Sequence, residues 1–337
     1  MSGKPRLLDR VREAIRLRHY SYRTEQQYVS WILRFIRFHG LRHPETLGGP
    51  EVEAFLNHLA MQRNVAAATQ AQALAALLFL YKRVLNVDLP WLGEVVRAKR
   101  PKRLPVVLSR DEVRRILIEL EDPYLLIAKL LYGSGLRLME ALRLRYKDVD
   151  LGQVVIQVRD GKGAKDRVTV IPDSALESLQ QQLSRVRDRH EAARASGYGG
   201  VELPYALERK YPRAHLELGW QYVFAAAKPS RDPRSGTWRR HHIHEESMQR
   251  NLRRAVLAAG IEKPASCHTF RHCFATHMLE DGADIRTVQE LMGHTSVKTT
   301  QIYTHVLDGR GIAARSPLDL IEGLRPGERV RQRRRRR

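Results

Sequence analysis

Cysteine is nearly missing from this chain, which has only Cys267 and Cys273 in 337 residues. Two thiols cannot build a disulfide framework, and these lack the paired spacing of a zinc site, so a reducing compartment fits. Long apolar runs are missing too. No window approaches the roughly 18 consecutive apolar residues that a spanning helix needs, which leaves no membrane partner to expect. The opening MSGKPRLLDRVREAIRLRHY is charged throughout and has no apolar centre of the signal-peptide kind. A phosphate-binding loop is absent as well, because neither GSGLRL nor GKGAKD ends in the GK[ST] that such a loop requires.

Negative charge is scarce. Thirty-seven acidic residues stand against 59 Lys and Arg, a formal net charge of +22 with a pI near 10.5. A field of that sign concentrates polyanions, nucleic acid above all. Seven of the arginines lie in residues 329–337, and without them the rest of the chain still carries +15. The tail itself, residues 326–337, reads as a disordered basic arm. Hydrophobic content of 43% is that of an ordinary folded protein, and the length suits two domains better than one.

The first part reads as helices. Thr24 with Gln27 suggests a capping box, after which Tyr28, Trp31, Ile32, Phe35 and Ile36 share one face until Gly40. A further helix is expected from Pro50 and an Ala-rich one from Ala67 to Leu85. With a short helix near Leu7 to Leu17 they make a four-helix unit over 1–96. Residues 97–108 read as a linker in which Arg97, Lys99, Arg100, Lys102 and Arg103 place five cations beside Pro101 and Pro105. Such a connector either tracks a phosphate backbone or is a solvated loop that touches nothing. Ser109 and Glu112 then open a second domain, 109–325, with another capping box. VVIQV and VTVI, on either side of GKGAKDR, predict a β-hairpin. A long irregular stretch, about 195–246, precedes the last helices, so the fold class is mainly α with a small β component.

Several short motifs carry chemistry. In HTFRH, His268 and Arg271 are three apart and share a helix face able to grip one anion, although the same spacing also fits a surface pair. Arg137 follows a glycine turn at a helix start, with Glu140 three residues on. This reads as an anion site with its buttress, or as an ordinary capped helix. Lys162, between two glycines at the hairpin tip, is either a proton donor on a mobile arm or a solubilising turn lysine. In ELMGHTSVKTTQIYTHV, His294 and Tyr303 stand nine apart. A phenol with a pKa of about 10 is a weak nucleophile, but arginines and an imidazole around a phosphodiester would favour the phenolate and disperse the transition-state charge without a metal.

Taken together, Arg137, Lys162, His268, Arg271, His294 and Tyr303 resemble, in order, the active-site signature of the tyrosine recombinases. The resemblance implies a two-domain architecture: a helical, SAM-like core-binding domain followed by an α+β catalytic domain. It also implies Tyr303 as nucleophile, Lys162 as general acid, Arg137 and Arg271 as phosphate clamps, His268 and His294 as phosphate or proton partners, and Glu140 as support. No cofactor is implied. One branch, the integron integrases, is similar along nearly the whole chain: SYRTEQQYVSWILRFIRFHGLRHPETL, ALAALLFLYKRVL, DLPWL, SPLDL and above all the inserted GYGGVELPYALERKYPRAHLELGWQYVF and DPRSGTWRRHHIHEESMQRNLRRAV. At Cys267 the chain departs from the proline of some relatives.

That branch implies a bacterial, cytoplasmic, nucleoid-associated enzyme acting on duplex attI sites and on attC sites folded from one strand, as a tetramer on DNA and a monomer when free. A Xer-like recombinase of duplex sites, or a non-catalytic DNA-binding protein, is the alternative. Unpaired bases of a folded strand need aromatic platforms, each worth roughly 1–3 kcal/mol. Trp220, Tyr222, Pro233, His241 and His242 are the candidates, with Arg239 and Arg240 as phosphate contacts. Trp220 and Tyr222 fit a core equally well, Pro233 fits a simple turn, and HHIH lacks the donors of a zinc site, so no metal is expected.

Overall fold

The computed structural model describes residues 6–89, 105–159, 166–197, 200–204, 207–232, 235–294 and 300–301. The chain forms two compact units, 1–103 and 104–337. Among the calls above, Lys162, Tyr303, Pro233, the five linker cations and the arginine tail lie outside the described residues.

The first unit contains α1 (Leu7–Arg16), α2 (Tyr22–Phe38), α3 (Gly49–Met61) and α4 (Ala67–Phe79), the last continued by a π-helical turn over Leu80–Leu85. Apolar residues at helical spacing, among them Ile15, Ile32, Phe35, Phe55, Leu56 and Leu77, meet in one core. The start of α2 differs from the expectation. Ser21, not Thr24, is the N-cap, because its hydroxyl accepts the Thr24 N–H at 3.1 Å and so satisfies a donor that the first turn leaves open.

The second unit opens with α5 (Arg110–Ile118). Here the expected box is present: Glu112 accepts the Ser109 N–H at 2.6 Å, and Ser109 accepts the Glu112 N–H at 3.1 Å. Helix α6 (Tyr124–Gly133) leads through a tight loop to α7 (Leu138–Arg143). An antiparallel sheet follows: β1 (Val149–Asp150), β2 (Val155–Val158) and β3 (Arg167–Val170), with Val155 opposite Val170 and Val158 opposite Arg167. The predicted hairpin therefore gains a third short strand. Helix α8 (Asp173–Ala195) ends where the irregular stretch begins. That stretch holds α9 (Leu207–Lys210), 3-10 turns at Ala214–Leu216 and Leu218–Trp220, and a ribbon of β4 (Ser230–Arg231) with β5 (Trp238–Arg239). Backbone bonds from Tyr146 to Gln221 (2.9 Å) and from Val223 to Leu144 (2.9 Å) fasten it to the domain, whose core takes in Val223 and Phe224.

The last helices are α10 (Glu245–Ala258), α11 (Cys267–Glu280) and α12 (Ile285–Met292). Helix α11 packs along α6 through Phe270 and Cys273. Its far end is tied to the start of the domain, where His277 donates from Nε2 to the Leu108 carbonyl at 3.0 Å and accepts the Tyr132 hydroxyl at Nδ1 at 2.9 Å. The loop after α6 approaches α11 so closely that Gly135, at φ +62°, has no room for a side chain; a Cβ there would lie 2.5 Å from the Phe274 ring.

Candidate active site

Three segments converge on one carboxylate. Glu140, in the first turn of α7, accepts the Arg137 backbone N–H at 2.8 Å and the Arg137 Nη1 at 2.6 Å. Arg167 enters from β3 and forks onto the same group, with Nη1 at 3.0 Å from Oε1 and Nη2 at 2.7 Å from Oε2. Arg271, from α11, brings its Nη1 to 3.8 Å. Burial alone would raise the Glu140 carboxyl, but the bonds from Arg167 and Arg137 outweigh it and hold it at about 2. Glu140 is thus a fixed anion among three cations.

Arg271 is 1% exposed, and its two Nη atoms donate to the carbonyls of Gly135 and Met292. Arg137 keeps about a quarter of its side chain open, with Nη2 making only a long 3.4 Å contact to the Gly293 carbonyl. Helix α12 ends in the left-handed Gly293 (φ +62°), which turns the chain so that His294 faces the arginines. The His294 Nδ1 lies 3.0 Å from the Thr300 hydroxyl. Burial first, then Arg271, Arg137 and Arg167, lowers its pKa to about 4. His268 is lowered by burial and by the same Arg271 and Arg137, and its ring meets His272 edge-on at 4.4 Å. His272 is driven to about 4, chiefly by burial. In the free protein these imidazoles are neutral at pH 7, so the pocket is a cradle of guanidiniums with uncharged hydrogen-bonding rings, suited to a phosphodiester.

Arg137, Glu140, His268, Arg271 and His294, far apart in the sequence, therefore meet in one place. Arg167, His272 and Thr300 were not anticipated. Arg167 lies in the predicted turn GKGAKDR, and the only hint was its position directly before the valines of the strand.

The inserted stretch corrects several expectations. Tyr222 is 3% exposed: the Arg145 guanidinium sits 3.6 Å over its ring and donates to its hydroxyl at 2.8 Å, which removes it as an open stacking platform. Trp220 is partly covered, with the Lys147 Nζ 2.9 Å from its ring centroid. Arg239 is engaged bidentately by Glu208 at 2.6 and 3.1 Å, and Arg240 donates to the carbonyls of Ala226 and Ala227 at 2.8 Å. Neither is an open phosphate donor, because internal acceptors already hold them. His242 lies edge-on to Tyr222 with its Nδ1 2.7 Å from the Ile243 carbonyl. His241 gathers with Glu202 and Asp232, their ligand-type atoms within 4.8 Å of one another, but Glu202 is exposed and Asp232 already accepts the Ser235 N–H at 2.6 Å. Trp238, not singled out from sequence, is 61% exposed on β5.

A guanidinium cradle on a helical frame is suited to a protein that holds a phosphodiester or a similar anion. Residues 106–310 match the Phage integrase family, and residues 7–91 match the phage integrase N-terminal SAM-like domain. An "Integrase/recombinase" of Escherichia coli is 56% identical over 319 residues, 95% of each chain. The tyrosine recombinase XerA of Thermococcus kodakarensis is 31% identical over 330 residues, 96% of this chain and 99% of that one. Among solved structures, a lambda integrase dimer bound to a COC′ core site superposes with a TM-score of 0.59 at 20% identity, over 90% of this chain and 95% of that one, a likeness of fold alone. The chain belongs to the phage integrase family, the tyrosine recombinases, enzymes that cleave and rejoin DNA.

Proposed function

We propose that this chain is an integron-type recombinase that joins attI and folded attC sites through a 3′-phosphotyrosyl intermediate on Tyr303. The observation that carries the chemistry is the convergence of Arg137, Arg271, His268 and His294 around Glu140. Arg137 and Arg271 hold the scissile phosphate and disperse charge as the phosphorus becomes five-coordinate. The Tyr303 oxygen attacks, its proton passing to His268 or the phosphate, while the 5′ oxygen leaves and takes a proton from Lys162. The ester formed keeps the bond energy. A 5′ hydroxyl of the partner strand then attacks it and releases the phenol, so no nucleotide is hydrolysed. The 1–96 unit and the 109–325 catalytic domain, joined through residues 97–108, would both bind the site, and four copies would act on two sites.

Site choice is assigned to the stretch about 195–246. Its exposed Trp238, partly open Trp220 and His241 offer flat surfaces for unpaired bases, with Pro233 beside them in sequence. The resemblance of that stretch to the integron branch supports this reading, and the match to the tyrosine recombinase XerA over 96% of the chain keeps the Xer-like alternative, acting on duplex sites only, as the second reading. A gel shift separates them: stronger binding to one folded strand of an attC site than to its complement is expected, and equal binding supports the duplex reading. For the chemistry, Tyr303→Phe should keep site binding and lose the covalent adduct on a suicide substrate. An adduct that survives this change moves the nucleophile elsewhere.

A further inference from the structure

Arg167 has a place in this pocket that the phosphate chemistry does not by itself require. Its side chain is 8% exposed, and each of its donor nitrogens is used inside the protein. Two bind Glu140 as a fork, and Nε donates to the Leu291 carbonyl at 2.8 Å, near the end of α12. A carboxylate held by a planar fork has little freedom to rotate, so Arg167 sets the direction in which Glu140 meets Arg137. The other end of the contact is as tight. A Cβ on Gly293 would lie 2.8 Å from the Arg167 Cδ, so the turn that delivers His294 is shaped against this arginine. Arg167 thus touches both the support of one phosphate ligand and the turn that carries another. It stands on β3, five residues after Lys162 in the sequence.

We propose that Arg167 is a positioning residue for strand cleavage: through Glu140 and the Leu291 carbonyl it holds the Arg137 guanidinium and the Gly293–His294 turn in one arrangement around the phosphate. It acts through these groups and does not touch DNA. The proposal rests on the pocket being the phosphate site.

A positioning role differs from a merely structural one in its dependence on pH. Glu140 is faced by Arg137 from the start of α7, Arg167 from β3 and Arg271 from α11; His294 and His268 stand by the same arginines. Removing Arg167 leaves a buried carboxyl with its main partner gone, so its proton affinity rises, and the protonated form no longer anchors Arg137. Cleavage by Arg167→Met relative to the unaltered enzyme should therefore fall as pH drops from 8.5 to 5.5. In a Glu140→Gln background, the same substitution should make a difference that does not change with pH.

The experiment is single-turnover cleavage of a suicide duplex across that pH range, with gel-shift affinity and thermal unfolding measured on the same proteins. Arg167→Met is expected to cleave about ten- to a hundredfold more slowly, with site affinity within about threefold, and to add little to the loss caused by Glu140→Gln. Arg167→Lys, which keeps the charge but not the fork, should recover part of the rate and keep a weaker pH tilt; it decides the matter if the Met variant does not fold. Cleavage at the normal rate, or a loss that is flat with pH and tracks unfolding, overturns the proposal. If instead Tyr303→Phe still forms the adduct, or Arg137→Ala cleaves normally, the reading of the pocket fails, which is a different result.

Discussion

A neutral imidazole beside three guanidiniums is poised for an anion. His294 has a pKa near 4 in the free protein because burial and then Arg271, Arg137 and Arg167 disfavour its charged form. A phosphodiester bound among those arginines reverses the sign of the local field and raises that value. Between the free and bound pKa values the complex takes up a proton that the free protein does not hold. Calorimetry of site binding in two buffers of different ionisation heat should therefore show proton uptake at pH 5.5 to 6, vanishing by pH 8, and His294→Ala should remove most of it.

Glu140 has the opposite sign. Its folded value of about 2 lies below the ordinary 4.5, so it contributes stability at neutral pH that persists above about 4.5 and disappears as pH falls through 2. The contribution is on the order of 3 kcal/mol. Denaturant melts should show Glu140→Gln less stable than the parent at pH 7, with the gap narrowing steadily from pH 5 towards pH 2.5.

At the scale of the element, the turn after α12 matters most. Gly293 combines a positive φ with Arg167 packed against its α-carbon. Gly293→Ala should lower stability by about 1–2 kcal/mol from backbone strain alone, and slow cleavage by more than that loss of stability explains, because the turn and Arg167 must both move. Thermal unfolding beside single-turnover cleavage checks it.

Strand β3 explains why this contact was not legible in the sequence. VTVI predicts only one arm of a hairpin, with no face assigned to its side chains. In the structure Arg167 and Thr169 face inward, while Val168 and Val170 are 51% and 43% exposed. The Thr169 hydroxyl donates to the Ser134 carbonyl at 2.8 Å, so the inner face of the strand serves the loop that carries Arg137. Period-two reasoning assigns faces by hydrophobicity, and here polar contacts decide. By contrast, the HTFR and LMGH segments were legible through their resemblance, in order along the chain, to the tyrosine recombinase signature, since the spacing of His268 and Arg271 alone also fits a surface pair. Cys267 was a departure without a structural cost: it follows the Ser266 N-cap as the first residue of α11, where proline and other residues are both accommodated. For Tyr222 the core alternative holds, and the phosphate contact expected of Arg239 fails because composition says nothing of an internal partner such as Glu208.

For the whole molecule, charge is the dominant quantity. A net charge of +22 creates a field that concentrates a polyanion such as DNA. The logarithm of site affinity should fall linearly with the logarithm of salt, by about 0.9 per phosphate neutralised, and deletion of residues 326–337 should make the slope shallower. Gel shifts across a salt series measure both. A slope near zero would mean that the cations do not meet DNA.

The division into helical and mixed units, the hairpin and the irregular stretch could all be read from helical periodicity, alternation and composition. The way that stretch is attached could not. Arg145 reaches across it, donating to the carbonyls of Trp220 and Glu202 while stacked on Tyr222. Its root is thereby welded to the domain, whereas the Trp238 ribbon lies open. Inheritance can therefore alter the outer ribbon one surface residue at a time without disturbing the fastening that Arg145 provides.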